Sequence, residues 1–350
     1  MWPLTLKRFD LSFRTAYAQA KEAALAQSNV PLLSPGSIQI ENRRGSKFAY
    51  RYRYDASGKR VAEYLGPEGA AETSGNIAGA KEEIRAGSIF VQYSRDLRRV
   101  GFYGADNSTL VTVAQLFNAG VFRGGAVLVG SHAFGVLLNE LGYSTSFPMT
   151  EDVDIARGRR IQIAALPAGG FLGLLRETGL PFQEVPELKR GAPPTSFKVR
   201  GRTLKVDLLV PAKGAPYRPT KVPELGAHAT GLPFFEYLLD EPIQSILLGR
   251  DRIVPVIVPS AGRYCVHKLA VYSLRSASDR PKRDKDVFHA AALAAALATE
   301  QDVLLLDAAE AMTKTMRAKA RAGARRALEW LGGNRPEAAE VLERIAADRG

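Results

Sequence analysis

Residues 150–156 read TEDVDIA and residues 204–210 read LKVDLLV, and both lie downstream of VLVGSHAF at residues 127–134. Side chains two apart on a strand point to the same face, so Asp152 and Asp154 are expected to aim two carboxylates at one spot, about 6 to 7 Å apart along the backbone. Asp207 sits among Val206, Leu208, Leu209 and Val210, a pattern that predicts a buried strand. An ionised carboxylate there is costly unless a metal or a positive partner neutralises it. Convergence of Asp152, Asp154 and Asp207 would provide an all-oxygen site for one or two Mg²⁺, with Mn²⁺ as a substitute. The competing structural explanation gives each aspartate its own partner: a turn cap for Asp152, Arg157 or Arg159 for Asp154, and Lys205 or Lys198 for Asp207. Gly130 and Ser131 follow an apolar strand and open a predicted helix from His132 to Leu141. Glycine lets a phosphate approach the backbone, and a helix N-terminus favours an anion. Ser131 as a plain helix cap is the alternative.

A Gly-Ser turn after an apolar strand, then Asp-x-Asp, then a third Asp on a later strand resembles the nucleotidyltransferase fold of the DNA polymerase β type. TEDVDIA, GLPFFEYLLDEPIQSILL (231–248), VPSAGRYCVHKLAVYSLR (258–275) and RDKDVFHAAAL (283–293) resemble a bacterial group of nucleotidyltransferase-fold proteins. The last two segments are also similar to the AbiEii-type nucleotidyltransferase toxins. The resemblance covers roughly residues 100 to 300. It implies an α+β fold with a minimal nucleotidyltransferase core, a small mixed sheet flanked by helices. It implies transfer of a nucleoside monophosphate from an NTP, with Asp152, Asp154 and Asp207 as catalytic metal ligands and Gly130 and Ser131 beside the nucleotide. Lys268 and the RPKRDKD segment with Lys285 fall where the toxin-type enzymes carry a nucleotide-contacting Lys and an Arg-Asp pair, and Arg275, seven residues after Lys268, is expected on the same helical face. The alternative for these residues is a salt-bridged helix pair built with Asp284 and Asp286. Twenty residues separate Ser131 from Asp152, a longer spacing than is common in the wider superfamily, and the insertion GYSTSFPMT (142–150) accounts for it.

Forty-eight Lys and Arg against thirty-six Asp and Glu give a formal charge of +12, which favours a polyanionic partner. With the toxin-like segment, this points to RNA as acceptor, a tRNA 3′ end in particular, with a protein acceptor and a cognate antitoxin as further partners. A non-catalytic nucleotide or nucleic-acid binding module is the alternative from another class. Nucleotidylation of a small cationic molecule would require an acidic pocket that the charge balance does not favour. The single cysteine, Cys265, excludes an internal disulfide and a cysteine-built zinc site. Lys7, Arg8, Asp10 and Arg14 interrupt the first apolar run, which predicts no signal peptide, no membrane partner and a cytoplasmic location.

Three segments are expected: residues 1–105 as helices and a β-hairpin, 106–215 as the catalytic core, and 216–350 as a mainly helical unit. In the first, the run FAYRYRYDASGKRVAEYLGP predicts two strands turning at Ala56-Ser57-Gly58. Phe48, Tyr50, Tyr52 and Tyr54 share one strand face, and Lys47, Arg51 and Arg53 the other. The expectation is that the aromatic face packs on helices and the arginine face is solvated, the competing use being a platform for single-stranded nucleic acid. Ser108 is expected to cap the helix that opens the core. The proline-rich run 211–226 reads as a connector, and residues 303–332 as one helix. Lys314, Arg317, Arg321 and Arg325 recur on one stripe of that helix, a solvated face by default and an RNA track as the alternative.

Overall fold

The computed structural model describes residues 4–146, 151–158, 167–187, 189–276, 278–332 and 335–347. The N-terminal third holds β1 (Leu6–Arg8), α1 (Leu11–Leu25), β2 (Ser37–Arg43), β3 (Ser46–Tyr54), β4 (Arg60–Pro67) and the long α2 (Ala71–Arg99). Then follow α3 (Asn107–Asn118), β5 (Ala126–Val129), α4 (Gly130–Leu141), β6 (Tyr143–Thr145), β7 (Val153–Arg157), α5 (Gly170–Arg176), β8 (Phe182–Val185), β9 (Ser196–Val199) and β10 (Lys205–Pro211). The rest comprises β11 (Pro219–Val222), β12 (Ala227–Leu232), α6 (Phe235–Leu238), β13 (Ile243–Leu248), β14 (Ile253–Val258), α7 (Ala261–Tyr272), α8 (Arg280–Leu297), α9 (Asp302–Glu310), α10 (Lys314–Leu331) and α11 (Pro336–Ala347).

The expected α+β architecture is present, built on a mixed sheet in the order β11-β12-β10-β7-β5, with β9 and then β8 added beside the first half of β10. β10 runs parallel to β7 and β12, and β7 runs antiparallel to β5. All four residues of β5 are buried, as a strand covered on both faces requires. In β10 the alternation sends Val206, Leu208 and Val210 into the core and leaves Lys205, Asp207 and Leu209 on the opposite, partly open face. One continuous apolar cluster extends from this sheet through α7 and α8 to Leu342 and Ile345 of α11.

The insertion between α4 and β7 does not displace the second strand. Its first residues form β6, which pairs antiparallel with β1, while residues 147–150 lie outside the described residues. Several expectations need correction. The N-terminal hairpin is a three-stranded meander, because β2 pairs along β3 in a register from Ser37↔Tyr52 to Arg43↔Ser46. Its faces are also reversed. Arg51 is buried, donating to Glu83 of α2 at 2.5 Å and to the Pro35 carbonyl, while Ala49 packs with Ala80 and Ile77 of α2. The aromatic face is therefore the outer one. α3 is capped by Asp106, whose side chain accepts from the amides of Ser108 and Thr109, and Ser108 lies inside the helix. Part of the proline-rich connector is the edge strand β11, a position where proline is tolerated. The long C-terminal helix is two, α9 and α10, since Thr313 caps α10 by accepting from the Met316 amide. Within the basic stripe, Arg317 donates to the Ala309 carbonyl at the end of α9, while Lys314 and Arg325 are exposed.

Candidate active site

Strand register decides where the aspartates stand. Asp154 of β7 and Asp207 of β10 are direct partners across parallel strands, which sets their Cα atoms about 4.8 Å apart. Val129, the last residue of β5, is the partner of Asp154 on the other side. Partners across a ladder share a face, so Asp154 and Asp207 project from the side of the sheet away from Val153, Ile155 and Val206. Asp152 lies just ahead of β7, near enough for its charge to act on Asp154.

The turn after β5 is fitted to Asp154. Gly130 has a φ of +68°, and a Cβ added there would lie 1.9 Å from Asp154 Oδ2. Both the backbone conformation and the carboxylate require glycine at this position. α4 starts at Gly130 itself, with Val129 as a cap lacking side-chain hydrogen bonds, so Ser131 is not the helix cap. Ser131 is buried in the first turn, and its Oγ accepts from Lys285 Nζ at 3.2 Å. From the other side, Tyr264 of α7 donates to the Gly130 carbonyl at 2.8 Å and fixes the turn.

Electrostatics follow from this crowding. Burial, then the charges of Asp207 and Asp152, push the Asp154 carboxyl up to about 7, with Lys268 and Lys285 pulling the other way. Asp207 has two nearby partners: Lys205 Nζ at 2.7 Å and Ser196 Oγ, which donates at 2.5 Å. Burial disfavours the Lys205 ammonium, yet Asp207, Asp152 and Asp154 together hold its pKa above the ordinary lysine range. Burial, reinforced by Lys268, lowers that of Lys285. Lys268 and Arg275 converge on Asp286 of α8, a fully buried carboxylate; Lys268 Nζ lies 2.8 Å from Oδ1 and Arg275 Nε donates to Oδ2. Burial opposes the charge of Asp286, but these two cations outweigh it and hold the carboxyl at about 2. The expected helix pairing is thus real for Asp286, and it holds Lys268 and Arg275 at the site.

A cleft of about 180 Å³ opens beside this cluster, lined by Asp154 but not by Asp152, Asp207, Ser131 or Lys285. Gly130, Asp154, Lys268 and Arg275 form its polar part, and Leu209, Leu232, Phe235, Leu238 and Val271 its apolar wall. Tyr217 and Tyr264 line it as well. These wall residues escaped sequence reading because apolar residues of a cleft carry the same pattern as core. Tyr264 stood within a recognised segment, four residues before Lys268, and that helical spacing was the available signal.

Among the described residues, no three His, Cys, Asp or Glu side chains are drawn together closely enough to form a ready-made metal cage. Asp207 is turned to Lys205 and Ser196 instead. The donor set nevertheless offers oxygen ligands suited to a hard divalent cation: Asp154 and Asp207 on one sheet face with Asp152 close by, burial and then the like charges raising the Asp154 carboxyl to about 7.

A family model described as Nucleotidyltransferase matches residues 108–314, more than half of the chain. The chain belongs to this nucleotidyltransferase family. The match begins in α3 and ends at the first residue of α10, so it takes in the sheet, the three aspartates, and α7 and α8 with their cations. No curated protein and no solved structure matches the chain. Among the described residues, no helix of this nucleotidyltransferase is long and apolar enough to cross a membrane.

Proposed function

We propose that this nucleotidyltransferase is Mg²⁺-dependent and moves a nucleoside monophosphate from an NTP to a hydroxyl of RNA. The register pairing of Asp154 with Asp207, with the Asp154 carboxylate packed against Gly130 where a Cβ would not fit, carries the reading. Asp152, Asp154 and Asp207 would hold the metal, two ions in the full site, with Mn²⁺ as a substitute. When bound, the ions neutralise triphosphate charge and lower the pKa of the attacking hydroxyl. Asp207 would receive the acceptor proton. The N-terminus of α4, with the Gly130 backbone, Ser131 and Lys285, would orient the triphosphate. Lys268 and Arg275 add charge across the cleft, and its apolar wall would take the base and sugar. The new bond joins the acceptor oxygen to the α-phosphorus; the bond to pyrophosphate breaks, and the proton passes to carboxylate and then solvent.

The overall positive charge supports an RNA acceptor, and a tRNA end, growth inhibition and a cognate antitoxin extend that reading. The Lys205–Asp207 ion pair favours one alternative, a nucleotide-binding module without turnover. Incubation with Mg²⁺, each α-labelled NTP and either total cell RNA or protein extract separates the cases. Label on RNA from wild type and none from Asp152→Ala is the expected result. Label on protein would redirect the acceptor, and NTP binding with no labelled product would favour the module.

A further inference from the structure

We propose that the outer face of the β2-β3-β4 sheet binds single-stranded RNA by stacking bases on its tyrosines. Alternation and register put Phe48, Tyr50, Tyr52 and Tyr54 of β3 on this face together with Tyr64 of β4, the partner of Tyr50. α2 covers the opposite face, where Arg51 and Ala49 are buried. Tyr54 and Tyr64 remain 52% and 55% exposed, far more than large aromatic side chains with only a structural role need be. The rings form a connected row, with Tyr50 lying 5.4 Å from Tyr64 and 6.2 Å from Tyr52 between centroids.

Guanidinium groups are interleaved with the rings. Arg60 of β4 stacks 3.5 Å over Tyr52 of β3, and its Nη2 donates to Gln39 of β2 beyond it. Arg43 lies 4.5 Å over Tyr50 and is bonded to Glu41, the carboxylate on this face, so Arg60 is the better phosphate ligand. Of the seven Lys and Arg between Ser37 and Pro67, Lys47, Arg51 and Arg53 belong to the opposite face, which leaves Arg43 and Arg60 among the rings and Arg44 and Lys59 in the adjoining turns to meet a phosphodiester chain. A cavity of about 510 Å³ beside Tyr52, Tyr54 and Arg60 has room for a base to leave the stack. Sequence-tolerant stacking with an adjacent cation is the pattern of single-strand recognition, which a duplex with paired bases cannot satisfy.

The platform is also tied to the catalytic core. Asn107 and Ser108 of α3 donate to the Ala56 carbonyl in the β3–β4 turn, and Arg202 donates to the Ser57 carbonyl and to Ser108 Oγ at 2.7 Å. Arg202 precedes β10, whose Lys205 and Asp207 belong to the carboxylate cluster. A strand leaving Tyr54 and Arg60 would therefore reach the acceptor side of the site. The choice of RNA rests on the acceptor proposed above; the stacking surface does not depend on it.

The experiment is fluorescence anisotropy of a labelled unstructured RNA 12-mer, with a hairpin duplex as control and full-length protein throughout. Wild type should prefer the single strand. Tyr54→Ala and Tyr64→Ala, both at exposed positions, should each weaken binding about tenfold, and Tyr64→Phe should leave it intact. Arg60→Gln should lower the slope of log affinity against log salt by about 0.7. Asp152→Ala should keep full RNA affinity, so loss of transfer chemistry and loss of the platform read out separately. Equal binding of duplex, or tyrosine variants with wild-type affinity, would overturn the proposal. So would self-association that disappears with the same substitutions, which would assign the face to a second copy of the chain.

Discussion

Replacing Asp154 with asparagine should make the metal-free protein more stable at alkaline pH. The carboxyl is raised from 3.8 to about 7 by burial and by Asp207 and Asp152, so its charged form is disfavoured in the folded state. For an acid with a raised folded pKa, the penalty is absent below the unfolded value, grows as pH rises towards about 7, and is complete above it. Three pH units correspond to about 4 kcal/mol, and screening through the open cleft reduces the realised value to about 1 to 2 kcal/mol. Asparagine keeps the shape that fits against Gly130 and removes the charge. Urea denaturation in EDTA should therefore show Asp154→Asn more stable than wild type by about 1 to 2 kcal/mol at about pH 8, with the gap closing as pH falls to about 4. Saturating Mg²⁺ should reverse the order, since a ligand at a hundred times its Kd adds about 2.7 kcal/mol to the protein that binds it. A variant less stable than wild type at about pH 8, or a gap unchanged at about pH 4, would refute the electrostatic account.

Two other perturbations probe the charges behind the site. Asp286→Asn leaves Lys268 and Arg275 without their buried counter-charge and should cost about 3 kcal/mol of stability, measured by denaturant titration; a loss under about 1 kcal/mol would mean that the cations find solvent instead. Acid should unfold the protein through its buried histidines: burial holds His132 down to about 4 and His267 down to about 3, and it lowers His289 as well. Below about pH 6.5 the unfolded chain binds these protons and the folded one does not. Stability should fall by about 1.4 kcal/mol per pH unit for each histidine as pH drops towards 4, partly offset by Asp154, and a flat profile between pH 6.5 and 4.5 would contradict this.

The legible part of the fold was the part where polarity broke an apolar pattern. Asp154 and Asp207 stand out because strands covered on one or both faces otherwise exclude carboxylates, and β5 was readable as a short apolar run. β2 was missed because most of SIQIENR is exposed, which leaves it little alternation to read. β11 was hidden by the prolines around it, and the break between α9 and α10 by a helical pattern that continues through Thr313, although a threonine three residues before Met316 is a cap signal. Alternation in β3 correctly grouped the aromatic residues on one face. It could not say which face α2 covers, because that depends on Arg51 meeting Glu83, a contact between residues 32 apart.

The same difference separates what could be read of the site from what could not. Positions 152, 154 and 207 carry their chemistry in residue type, and strand register brings 154 and 207 together. The cations need a longer argument. Lys268, Arg275 and Lys285 are ordinary surface residues by type, and what sets them apart is Asp286, which has no exposure and binds two of them. A buried carboxylate that neutralises two cations restricts their rotamers before any anion arrives, so less entropy remains to be lost when a triphosphate binds. Lys285, next to Asp286 in sequence, instead turns to Ser131, and its charge, like that of Lys268, acts on Asp154. Through Asp286 and Lys285 one turn of α8 therefore brings cations to the carboxylate cluster, and the family match extends through this helix as well as through the sheet.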